Sequence, residues 1–122
     1  MIGKHLLNDV VFCNENDSIL EVSRILRDTK SRHLIIIDSH KKPLGIISTV
    51  DINNRVIAEA KDPAKTLAKQ IMSKPIQTIE VSSTCEEAYK KMIEHETYSM
   101  PVTENGILIG SLSFNKIFGR VC

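Results

Sequence analysis

Two short phrases hold the side chains with the most chemical capacity: GIISTVDI at residues 45–52 and GSLSFNKI at residues 110–117. Each runs Gly, two small or apolar residues, Ser, two variable residues, one charged residue and Ile. The charge is Asp51 in the first, which can only accept hydrogen bonds, and Lys116 in the second, which can only donate them. Ser48 and Asp51 have the S-x-x-D spacing of a helix-capping pair. A hydroxyl at a helix start also lies among free backbone N–H groups, where an anion is favoured. Ser113 holds the equivalent place. Lys116, however, puts a cation in the first helical turn against the macrodipole, so it calls for some other role. Arg32 and His33 place a planar guanidinium and a ring donor just ahead of an apolar run, where a solvated edge charge is equally common.

No pattern for catalysis or metal binding emerges. His5, His33, His40 and His95 have no i, i+4 companion and no C-x-x-C, so no metal site is expected. No nucleophile–base motif is recognisable, and no Gly-rich phosphate loop precedes a helix. The expectation is therefore a chain that is not an enzyme. Cys13, Cys85 and Cys122 are odd in number and far apart, which does not read as a disulfide framework. Cys85 falls on an apolar stripe and reads as core packing. Cys122 is expected to be exposed, open to a chance intermolecular disulfide. Met100 and Pro101 read as shaping a strand.

Composition bounds the rest. At 122 residues the chain fits one domain, or two small ones sharing a core. Such a chain buries roughly 65–70% of the surface its unfolded form exposes. With 16 basic and 15 acidic residues, no broad field of one sign points to nucleic acid or an anionic membrane. The apolar runs are around four residues, as in LIII at 34–37, far short of the ~20 of a membrane span. The start, MIGKHLLNDVV, breaks its apolar residues with Asn8 and Asp9, so no signal peptide is expected. A soluble, cytoplasmic domain is the expectation.

The elements that position these side chains are written twice. SILEVSRILRDTKSRHLIIID (18–38) aligns with TCEEAYKKMIEHETYSMPVTE (84–104). Ser18 falls on Thr84, Glu21 on Glu87, Leu26 on Met92 and Ile36 on Val102. One deletion in the following turn then brings Gly45 onto Gly110. Ser18 with Glu21, and Thr84 with Glu87, have capping-box spacing. Behind them, Ile19, Val22, Ile25 and Leu26, and Cys85, Ala88, Tyr89, Met92 and Ile93, recur at helical spacing. Strand-like runs follow at HLIIID (33–38) and YSMPVT (98–103). After a turn come LGIIS and LIGSLS, then a helix start near Ser48 or Ser113. Asn105-Gly106 is a strong hairpin signal. VVFC (10–13) and IQTIEV (76–81) add one strand each. Residues 62–75 read as a helical turn starting at Pro63 and ending before Pro75. Each unit is therefore β-α-β-β-α, in a mixed α/β (α+β) chain divided as residues 1–61, a connecting segment 62–75, and residues 76–122.

This ordered set resembles the cystathionine-beta-synthase (CBS) domain pair, or Bateman module, from about Leu7 to Val121, and reads as a stand-alone pair. The resemblance implies two repeats packed through their sheets about a pseudo-two-fold axis, with two clefts between them. It implies an adenosine-containing ligand: AMP, ADP, ATP or S-adenosylmethionine, with no cofactor required. It implies further that Asp51 holds the ribose hydroxyls and that Ser48 lies near the ribose-phosphate. Arg32 and His33 reach the phosphate, and Ile46, Ile36 and Val10 give apolar surface to the adenine. A carboxylate suits that task because it accepts two hydrogen bonds and so can hold a cis-diol. Lys116 departs from the pattern. The second cleft, at Ser113, then lacks its diol acceptor, and Lys116 is expected to reach toward the phosphate in the first. One nucleotide site per chain follows. The resemblance also implies a homodimer and an unidentified target protein, with no membrane and no nucleic acid as partners. The alternative is a dimerisation or adaptor module whose clefts have lost their ligand.

Overall fold

Helix and strand positions follow from caps and periodicity. A computed structural model describes residues 1–117; Cys122 lies outside the described residues. α1 (Ile19–Thr29) starts where the Ser18 hydroxyl accepts from the Glu21 N–H, and it stops at Lys30 in the left-handed region. α4 (Cys85–Glu94) starts in the same way at Thr84, accepting from the Glu87 N–H. Only this half of each expected capping box forms: neither glutamate returns a bond to its cap. Each helix buries one stripe, Ile19, Val22 and Leu26 in α1 and Cys85, Ala88 and Met92 in α4.

The described contacts group Val11–Ile76 as one unit and Met1–Val10 with residues 77 onward as the other. The opening residues, read from sequence as the start of the first repeat, therefore pack with the second. In the first unit, β1 (Phe12–Asn14) runs parallel to β2 (His33–Ile37), which runs antiparallel to β3 (Pro43–Ser48). In the second unit, β4 (Ile79–Glu80), β5 (Ser99–Glu104) and β6 (Ile107–Ser113) repeat the order and the directions. The irregularities match as well, falling between Ile36 and Ile37 and between Val102 and Thr103. Each sheet packs on its long helix. One core gathers Ile36, Ile47, Val22 and Leu26, and the other Val102, Leu112, Ala88 and Met92.

A carboxylate closes each hairpin. Asp38 accepts from the His40 and Lys42 N–H groups, and Glu80 from Asn105 and from the Thr103 hydroxyl. Asn105 and Gly106 both take positive φ, 55° and 82°, as the hairpin signal requires. These bonds hold both carboxyls below their ordinary range; the Lys42 amide is the largest cause for Asp38 and the Thr103 hydroxyl for Glu80. Their support is therefore complete above the unfolded pKa and fades as pH falls through the lowered folded value.

Each sheet is completed by an arm. The Ile46 N–H donates to the Ser73 carbonyl at 3.0 Å and Ser73 returns the bond at 2.9 Å. In the second unit, Ser111 and Asn8 exchange the same pair at 3.0 and 2.8 Å. Gly45 and Gly110 make this approach feasible. A Cβ on Gly45 would lie 2.6 Å from the Ser73 carbonyl oxygen, and one on Gly110 2.9 Å from that of Asn8. The glycine that opens each repeated phrase therefore serves the arm. Because Ser111 spends its backbone groups on Asn8, its partner Pro101 owes no ladder bond to β6, so its missing N–H costs nothing on that side.

Residues 62–75 differ from the sequence reading. Pro63 begins a turn, and the helix, α3, spans Ala68–Ile71. The turn carries backbone acceptors: the Pro63 and Thr66 carbonyls take the Leu20 and Ile19 N–H groups at the start of α1. Those are the orphan donors of a helix N-terminus. Pro75 follows the helix end at Met72 by three residues.

Candidate functional site

Ser48 ends β3 and caps α2 (Thr49–Ile52). Its hydroxyl accepts from the Asp51 N–H at 3.1 Å, and Asp51 Oδ2 accepts from the Ser48 N–H at 2.9 Å. Both halves of a capping box are present here, with Asp in place of the more usual Glu. The same carboxylate reaches Arg55: Oδ1 lies 3.7 Å from Nη2. Arg55 Nη1 in turn donates to the Ile71 carbonyl at 2.6 Å, tying the π-helical turn Asn53–Ile57 to the end of α3. The Asp51 side chain remains 19% exposed. A carboxylate has about four lone-pair sites, so one amide and one distant guanidinium leave acceptor capacity.

The start of β2 is brought to the same place. His33 is the cross-strand partner of Ser48, and the Arg32 carbonyl accepts from the Thr49 N–H at 2.9 Å. Both side chains, Arg32 and His33, are exposed. Ile46 is half-buried and, two residues before Ser48, shares its face of the sheet. Asp51, Ser48, Arg32, His33 and Ile46 are thus neighbours.

Ile36 is not among them. It is 0% exposed, inside the helix-backed core. Strand side chains alternate, so the residue on the face of Ile46 is its cross-strand partner Ile35. All of LIII is apolar and gives no alternation by which to place Ile36 on a face, and Ile35 is itself only 3% exposed. Val10 closes the segment that packs with the second unit and is half-buried.

The second unit repeats the frame with different chemistry. Phe114 donates its N–H to the Tyr98 carbonyl, as Thr49 does to Arg32. Ser113 accepts at 2.7 Å from the side-chain amide of Asn8, a partner that Ser48 does not have. Lys116, on α5 (Phe114–Ile117), is half-buried, and no hydrogen bond or salt bridge to another described residue involves it. No group of three His, Cys, Asp or Glu residues is placed to hold a metal among the described residues. Burial, aided by Asp17 and Glu21, pushes the Cys13 thiol up to about 12, so it stays protonated and unreactive at neutral pH. Met100 is buried in its core. No described helix is long and apolar enough to cross a membrane.

The cap itself carries a prediction. Asp51→Ala deprives the Ser48 N–H of its acceptor and should cost about 1 kcal/mol. Urea unfolding followed by far-ultraviolet circular dichroism measures it; an unchanged midpoint would show the cap to be idle.

Two tandem β-α-β-β-α units, each with a sheet edge closed by an arm at the glycine of the repeated phrase and a short helix after the third strand, define the class. The CBS domain family matches over residues 4–58 and 68–121, and the chain belongs to that family. An uncharacterized protein of Methanopyrus kandleri is 27% identical over 95% of this chain and 60% of its own length. The CBS domain protein of Pyrobaculum aerophilum complexed with AMP is 27% identical, with a TM-score of 0.73, over 95% of this chain and 89% of that one. Hypoxic response protein I, whose structure holds two coordinated zinc ions, has a TM-score of 0.81 over the whole of both chains at 19% identity. Three curated relatives are matched over only 60, 22 and 29% of their own length.

Proposed function

We propose that this CBS pair is a non-catalytic regulatory module that binds an adenine nucleotide or a related adenosyl ligand at the start of α2. The observation that carries the reading is the AMP held by the Pyrobaculum relative, taken with the carboxylate of Asp51, which keeps acceptor capacity beyond its cap. In this reading Asp51 takes the ribose diol, Ser48 and the α2 N-terminus lie near the phosphate, and Arg32 and His33 supply donors to it. Half-buried Ile46 offers apolar surface to the base. Lys116 stands where the diol acceptor would be in the second repeat, so one equivalent binds per chain. Binding shifts the population between arrangements of the module, by no more than the ligand's differential affinity for them. The signal passes to a target protein, and the module works as a homodimer.

Calorimetric titration with AMP and with ATP tests this. One equivalent per chain is expected, and two equal equivalents would overturn the single-site assignment. At 100 times its dissociation constant, the ligand should add about 2.7 kcal/mol to unfolding stability. Asp51→Ala should lose that increment while keeping its fold. A mutant increment equal to wild type would remove Asp51 from the site.

One observation favours a second reading. Both Asp51 oxygens already have partners, the Ser48 amide and Arg55, as suits a cap in an adaptor that binds no nucleotide. Under that reading neither AMP nor ATP produces heat.

A further inference from the structure

One guanidinium joins two segments that the sequence keeps apart. Arg55 lies in the π-helical turn Asn53–Ile57, where the Ala58 N–H reaches back to the Asn53 carbonyl at 2.8 Å. Turns of this kind are rare and frequent at functional sites. Arg55 Nη1 donates to the Ile71 carbonyl at 2.6 Å, and Nη2 stands 3.7 Å from Asp51 Oδ1. Ile71 ends α3, and two residues on, Ser73 exchanges its bonds with Ile46 of β3. β3 leads in turn to Ser48, whose N–H binds the other oxygen of Asp51. Carboxylate, guanidinium, arm, strand and cap therefore close a circuit, all of it within the unit Val11–Ile76.

The two ends of the guanidinium are bound unequally. A charged donor at 2.6 Å from a carbonyl is a strong hydrogen bond, and it holds the fork against the arm. At 3.7 Å, Nη2 makes no hydrogen bond to Oδ1. A pair this exposed, 46% at Arg55 and 19% at Asp51, adds little by itself. Oδ1 is thereby oriented by charge without being consumed. A sugar diol donating to that oxygen leaves the carboxylate charged, fixes its rotation and shuts water out of the pair. The attraction grows as the local dielectric falls, so occupancy tightens the grip on the arm. Lysine does not suit this task, because it offers a single nitrogen where the arginine fork offers two. The second phrase also writes an arginine at the equivalent place, Arg120, but with Lys116 four residues before it. Only the first repeat sets a carboxylate ahead of that arginine.

We propose that Arg55 is a positioning residue that couples occupancy of Asp51 to the arm: a nucleotide held at Asp51 steadies the Ile46–Ser73 pairing through the guanidinium. This rests on the nucleotide reading above and adds how that site signals. The arm runs on to Ile76, where the first unit ends, so the steadied segment is the chain that leads into the second repeat. Amide hydrogen exchange at Ser73 and Ile46, whose N–H groups make the exchanged bonds, reads the effect. If opening the arm left affinity unchanged, ligand would not alter exchange at these two amides, so any protection it adds through local opening is the coupling itself. With saturating AMP, that protection should rise about fivefold or more in the wild type.

Arg55→Leu should still bind AMP, more weakly by a similar factor because coupling is reciprocal, and should lose the added protection. Without ligand, the same variant should already exchange Ser73 about tenfold faster than wild type, having lost a charged hydrogen bond. Arg55→Lys keeps the charge but not the fork, so its protection should not respond to AMP either. Arg55 is exposed, and circular dichroism melting checks that both variants remain folded. A full gain in Arg55→Lys would show that charge alone suffices and overturn the bridge. A wild type that binds AMP with no added protection at Ser73 would overturn the coupling and leave the nucleotide site standing, as would a full gain in Arg55→Leu. Unchanged ligand-free exchange in Arg55→Leu would overturn the hold on the arm. A wild type that takes up no AMP would overturn the nucleotide reading and the coupling together.

Discussion

Gly45→Val should lower unfolding stability by about 3 kcal/mol or more, with Gly110→Val close behind. At Gly45 even a single added carbon meets the Ser73 carbonyl oxygen at 2.6 Å and the Met72 sulfur at 2.9 Å. The thioether can swing aside. The carbonyl cannot, because it is fixed by the exchanged Ile46–Ser73 bonds, so relief means lifting the arm off β3. That forfeits two backbone hydrogen bonds, worth about 1 kcal/mol each net, and loosens Ile71, buried in the adjoining core. Gly106 is the control. Its φ of 82° favours glycine, but nothing lies within 4 Å of an added Cβ, so Gly106→Ala should cost only about 1 kcal/mol. Urea unfolding of the three variants measures the ranking. A Gly45→Val loss as small as that of Gly106→Ala would mean that the arm does not need the close approach.

Removing residues 1–8 should unfold the second unit and spare the first. Ile2 is fully buried and Leu6 nearly so, both in the core of the second unit, and each such side chain is worth about 1.5–3 kcal/mol. The Ile2 amide also donates to Val81, and Asn8 exchanges two bonds with Ser111. The Lys4–Glu104 ion pair is exposed and adds little. The loss from burial alone, about 3–6 kcal/mol, rivals the whole stability of a small domain. Amide hydrogen exchange reads the result by region. Protection should vanish in β5 and β6 and persist in β2 and β3. The opposite pattern, expected if the opening residues belonged to the repeat they precede in sequence, would refute the assignment.

The elements were legible because each is specified locally. Ser18 and Thr84 mark the helix starts, Asn105-Gly106 marks a hairpin, and the offset between the repeats places β3 and β6. Ser48 and Asp51 were legible as a cap for the same reason. The arms were not, because their bonds join Asn8 to Ser111 and Ser73 to Ile46, and neither Asn8 nor Ser73 has a strand-like neighbourhood to reveal the pairing. The glycine opening each phrase was the available sign, since isolated glycine in a strand marks close backbone approach. Ile36 was misplaced because a run apolar on both faces carries no register. Arg55 was overlooked, although its i+4 spacing from Asp51 is the ordinary separation of a helical ion pair.

The arms make the repeats interdependent. The stretch leading into each repeat finishes the sheet of the other, Asn8 that of Ser111 and Ser73 that of Ile46. Cut within residues 59–65, the two halves should each be unfit alone and competent when expressed together.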